Sequence, residues 1–104
     1  MIAIPSFKDI FNALCAEFWE IDFDLCENFI KSIKFDKNGN QITTGFSIYV
    51  FEMEDLGEVV YMCVKWKYSN DTFVFGKQIE SGGFDSLEES VEYLKSLHKV
   101  KEMK

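Results

Sequence analysis

Residues 33–52 read IKFDKNGNQITTGFSIYVFE, and their reading decides the fold. Asn38-Gly39 stands between two runs rich in Ile, Phe, Thr, Tyr and Val. Asn and Gly both tolerate positive φ, so the pair is a strong hairpin signal between β-prone segments. The stretch predicts a strand over Ile33–Asp36, a turn over Lys37–Asn40 and a second strand over Gln41–Glu52.

Toward the C-terminus the same pattern repeats. Glu54-Asp55-Leu56-Gly57 is a turn, Glu58–Tyr68 a long strand, Ser69-Asn70-Asp71 a turn, and Thr72–Glu80 a returning strand. Connections this short join antiparallel neighbours, so a four-stranded antiparallel β-meander is expected. Ser81-Gly82-Gly83 ends the sheet. Asp85 and Ser86 then offer N-caps, with Glu88 and Glu89 three residues on. Leu87, Val91, Leu94 and His98 recur on one helical face, and Lys95, Lys99, Lys101 and Lys104 follow where cations complement the helix dipole. The last few residues are expected to fray.

Toward the N-terminus, Ser6 is an N-cap with Asp9 three residues later. Phe7, Phe11, Leu14, Phe18, Ile21 and Leu25 recur at helical steps, with Trp19, Phe23, Cys26 and Ile30 beside them. Asp22 would point into that apolar arc, so one helix from 6 to about 32 is less favoured than two helices meeting near Asp22. Asp24 and Glu27 have capping-box spacing for the second. The class is α+β in a single domain over 1–104: one or two N-terminal helices, the four-stranded meander, and a C-terminal helix. The helices are expected on one face of the sheet. Yet aromatic residues fall on both sheet faces, which requires either helices on both sides or an exposed aromatic interface, with Tyr49, Phe51 and Tyr61 as its candidates.

Charge is the strongest functional signal. Eighteen acids face eleven lysines and no arginine, for a net charge of −7. Fifteen of the acids fall in three lysine-free blocks. One holds Asp9, Glu17, Glu20, Asp22, Asp24 and Glu27. The second holds Glu52, Glu54, Asp55 and Glu58. The third, from Glu80 to Glu92, belongs largely to a helix N-terminus, where caps and the dipole account for it. On a continuous helix Glu17, Glu20, Asp24 and Glu27 would form a stripe with neighbours about 5–6 Å apart. Phosphates of one DNA strand advance about 3.4 Å of axis each, a spacing comparable enough for such a stripe to mimic nucleic acid.

The chemistry of a catalytic centre is missing. His98 is the only histidine, and it sits on an apolar helical stripe. Cys15, Cys26 and Cys63 have no metal-ligand spacing and fit a reducing compartment. Asp36-Lys37-Asn38-Gly39-Asn40 is not a calcium loop, because its glycine is fourth rather than sixth and Ser47 stands at the twelfth position. No signal peptide or transmembrane run is read. Trp66, Tyr68, Phe73 and Phe75 with Lys65, Lys67 and Lys77 suggest base stacking on a sheet, but the net charge opposes direct nucleic-acid binding.

The expectation is therefore a cytoplasmic (or host-cell cytoplasmic), non-enzymatic protein with no cofactor, no metal and no membrane contact. It would be an inhibitor or regulator covering a basic surface of a target, including a nucleic-acid-binding protein. Phage anti-CRISPR, other anti-defence and immunity proteins share this composition: short, acidic and cofactor-free. Its candidate contacts are Glu17, Glu20, Asp24, Glu27, Glu52, Glu54, Asp55 and Glu58. The alternative is a homo-oligomeric scaffold, as small as a homodimer, built on the aromatic sheet face.

Overall fold

The computed structural model describes residues 2–78 and 83–103; the expected strand end at Ile79 and Glu80 and the turn residues Ser81 and Gly82 lie outside these. The described elements are α1 (Phe7–Glu17), β1 (Asp24–Phe35), β2 (Gln41–Met53), β3 (Glu58–Ser69), β4 (Thr72–Gln78), α2 (Leu87–Leu97) and β5 (Lys101–Met103). The strands form one antiparallel sheet in the order β4-β3-β2-β1-β5. The α+β class and the meander are as expected; the sheet has five strands rather than four.

Local chemistry explains the elements that were anticipated. Ser6 caps α1 with a reciprocal pair: Asp9 N–H donates to Ser6 Oγ, and Ser6 N–H donates to the Asp9 carboxylate, each at 3.1 Å. Ser86 caps α2 by accepting from Glu89 N–H at 3.2 Å. In the β1–β2 loop, the Asp36 carboxylate accepts the N–H groups of Asn38 and Asn40, each at 2.9 Å. These bonds hold its pKa below the usual carboxylate range. That carboxylate orders the hairpin, which is what the calcium-like spacing reflects. Asn70 and Asp71 turn β3 into β4 with positive φ at both positions, a geometry these residues tolerate.

The N-terminal region departs from expectation. The chain does break before Asp22, but a strand follows instead of a second helix. Two bulges explain the misleading pattern. Register shifts fall between Leu25 and Glu27 and between Ile30 and Ser32, leaving Cys26 and Lys31 as the extra residues. Each bulge offsets the alternation by one. Apolar residues at 25, 26, 29, 30 and 33 then recur at three- and four-residue steps, which imitates a helix. The C-terminus differs as well. Lys101–Met103 does not fray but pairs with Asn28–Ile30 as an edge strand.

The helices lie on opposite faces, not on one. Ile10 and Leu14 of α1 pack with Phe23, Tyr49, Val60, Met62, Val64 and Trp66. Leu94 of α2 packs with Phe29, Phe46, Ile48 and Cys63. These sets alternate along β2 and β3, so the sheet is the middle of three layers. Tyr49 is buried and Phe51 half-buried on the α1 side, whereas the half-buried Tyr61 packs on the α2 side. The three aromatic candidates therefore form no common exposed face. Of the residues considered for base stacking, Trp66 is fully buried and points away from Lys65 and Lys67, whereas Tyr68, Phe73 and Phe75 are half-buried.

Trp66 organises the α1 side. Its indole N–H donates to Ser47 Oγ at 2.9 Å, and the Ser47 hydroxyl donates to the Asn28 side-chain carbonyl, tying β3, β2 and β1 together. Burying an indole of roughly 150–250 Å² at about 25 cal/mol per Å² stabilises the fold by about 4–6 kcal/mol before entropy is counted. The ring fits because Gly45, its partner across the ladder, has no side chain. A Cβ there would stand 2.2 Å from the Phe29 carbonyl oxygen and 2.4 Å from Trp66 Cζ2. Gly45→Ala should destabilise the protein by about 1–3 kcal/mol, the scale of core overpacking, as read by urea unfolding. Unchanged stability would mean that Trp66 does not lie against Gly45.

Candidate functional site

The strand register brings the middle of the first acidic block and the second block to one end of the sheet, leaving Asp9 beside Tyr68 and Asp71 and Glu27 beside Glu102. Asp24 opens β1 opposite Val50, while Glu52 pairs with Val59 and Met53 with Glu58 at the β2–β3 turn. The α1–β1 connection arrives at the same end, because Phe18 stacks on Tyr49 with ring centroids 5.9 Å apart. A cleft of about 270 Å³ joins the two segments, with Asp22, Phe23 and Asp24 on one side and Val50, Phe51, Glu52 and Val59 on the other.

Seven of the eight expected contact residues lie in the two segments joined at this cleft: Glu17, Glu20, Asp24, Glu52, Glu54, Asp55 and Glu58, all exposed; of these, Asp24 and Glu52 line it. They do not form the expected helical stripe. Glu17 ends α1, Glu20 is in a turn and Asp24 begins β1. Asp22, which the helical reading treated as misplaced, is exposed and lines the cleft. These are eight carboxylates with no lysine between residues 9 and 30 or between 38 and 64. Removing eight from eighteen acids leaves ten against eleven lysines. These two segments thus carry eight negative charges, and the rest of the chain one net positive charge.

Sequence reasoning missed the apolar component. Trp19 is 77% exposed, Leu56 64%, Val59 49%, Ile21 40% and Met53 37%. All five lie in the two segments that meet at the acidic end. Trp19 and Ile21 were assigned to a helical stripe, and only the end of α1 at Glu17 releases them to solvent. Exposed aromatic and aliphatic side chains rimmed by charge are what a protein contact needs: apolar area for affinity and charges for orientation.

Glu27 is separate from this group. It is half-buried in β1, pairs with Ile48 of the α2-side core, and shares a side-chain hydrogen bond with Glu102 of β5. Burial, then the Glu102 bond and charge, push its pKa up, with Lys95 opposing. Two of the thiols, Cys26 and Cys63, are also held in their neutral forms. Burial pushes Cys63 up to about 11, and burial with Asp24 and Glu27 raises Cys26. Such thiols are poor nucleophiles. Among the described residues no three His, Cys, Asp or Glu side chains converge as a metal would require, and no helix is long and apolar enough to cross a membrane. Comparison with protein-family models, curated proteins and solved structures gave no match.

The Glu27 arrangement has a signed consequence for stability. Its folded pKa lies above the unfolded value, so the stabilising effect is full below the unfolded pKa and lost as pH rises through the folded one. At pH 7 ionised Glu27 is therefore a liability. Glu27→Gln should raise the melting temperature at pH 7, and the gain should vanish near pH 4. A gain that persists at pH 4, or a loss at pH 7, would show that Glu27 does not face Glu102 in a desolvated site.

Proposed function

We propose that this protein is a binding module whose acidic end covers a basic surface of a target protein, acting as an inhibitor or regulator. The observation that carries the reading is that the two lysine-free segments joined at the cleft of Asp22, Asp24, Glu52 and Val59 also carry the exposed Trp19 and Leu56. The carboxylates speed and orient the encounter with a positive surface. Trp19 supplies the kind of large, amphipathic anchor that dominates interface energies. A surface that binds nucleic acid suits it best, since such a surface carries clustered Lys and Arg. The three unpaired thiols fit action in a reducing compartment. A symmetric dimer through this end is disfavoured, because it would set eight carboxylates against eight.

The test begins with capture of a partner from host lysate at low salt, followed by titration of the purified partner. Trp19→Ala should weaken binding about 30-fold, the scale of a hot-spot residue. Replacing Asp22, Asp24, Glu52 and Glu54 together by Lys should slow association at least tenfold and remove most of its salt dependence. Neither change should alter the melting temperature by more than a few degrees, because every altered side chain is exposed. A partner that binds both variants as tightly as the parent would end the proposal.

A further inference from the structure

A second charged feature lies on the other side of the electrostatic divide. An open groove of about 810 Å³ is lined by Lys31, Ser32, Lys95, His98, Lys99 and Lys101, together with apolar residues of β1 and the α2–β5 link. Four lysines from β1, α2, the link and β5 thus surround one hollow in a chain of net charge −7. The dipole of α2 accounts for Lys95 and Lys99 near its C-terminus. It does not account for Lys101, nor for Lys31. Lys31 is the extra residue of the second β1 bulge, a device that re-aims a side chain. A regular strand would have given this position to the ladder.

His98 sits among these charges. Its ring stacks on Phe46 with centroids 4.5 Å apart. Burial, then Lys31 and Lys65, hold its pKa below the ordinary histidine value. The nearby carboxylates are Glu27, which interacts with Lys95, and Glu102, which is bonded to Glu27.

We propose that this groove binds a compact polyphosphate anion, whether free or as the phosphate tail of a nucleotide. Ammonium groups are compact point charges suited to phosphate oxygens. Four of them approaching from several elements favour one multivalent anion over a single carboxylate. A long nucleic-acid track is opposed by the acidic end, which lies six to nine strand residues away along β1, about 20–30 Å. The groove and the acidic end are separate sites, so failure of one leaves the other standing.

The lone histidine is a built-in reporter. Inorganic triphosphate would be titrated into the full chain at constant ionic strength near pH 7 while the His98 ring resonances are followed by NMR. Saturable shifts are expected, with a rise in the His98 pKa, because a bound anion offsets the surrounding ammonium groups. Lys31→Gln and Lys101→Gln should each weaken binding about fivefold, the scale of an exposed ion pair. Lys8→Gln, on α1, should change nothing. Adenosine triphosphate serves as a second arm: equal affinity means the phosphates alone are held, and tighter binding means the nucleoside adds contacts. Shifts that sodium chloride reproduces at equal ionic strength, or equal weakening by Lys8→Gln and Lys31→Gln, would overturn the proposal.

Discussion

The two bulges of β1 are the constraint on which the rest of the structure depends. Without the first, Leu25 and Phe29 would both face the α1 side, and Phe29 would leave the layer beneath α2. A one-residue slip in a strand moves every following side chain to the opposite face. Placing Cys26 out of register lets Leu25 pack toward α1 and Phe29 toward α2 within a few residues. The second bulge corrects the phase again, so that Ile33 pairs with Thr43 while Lys31, the extra residue, lines the groove beside α2. The strand thereby serves two cores and carries charge to two different places.

The same feature marks what could be read from the sequence. The meander from Ile33 to Thr72 was legible because its turns use residues whose chemistry is local: Asn38, Gly39, Gly57, Asn70 and Asp71. The helix caps at Ser6 and Ser86 were legible for the same reason. β1 was not, because its bulges turned a period of two into steps of three and four, and only pairing with β2 and β5 selects the strand. β5 has three residues, too few for any periodic signal. The candidate site was half legible. Lysine-free blocks identified the acids, but their meeting across the α1–β1 link and the β2–β3 turn is a property of register. Trp19 was hidden by a helical spacing that stops two residues before it.

The molecule separates its charges. Eight carboxylates lie in the two segments joined at one sheet end, with exposed apolar side chains among them, while four lysines collect around a groove farther along β1. Opposite signs held on one rigid sheet produce an oriented field, which steers an encounter as well as attracting it. The three-layer fold leaves little of the sheet faces for contact. The two binding surfaces proposed are the end and the groove, where connections and bulges interrupt the regular pattern.

Hydrogen exchange on the complex with the captured partner tests the central claim most directly. Protection gained over residues 18–24 and 52–59, with α2 and β4 unchanged, is the result this account predicts. Protection confined to α2, β4 or the β1–β2 loop, with the acidic end exchanging as in the free protein, would contradict it.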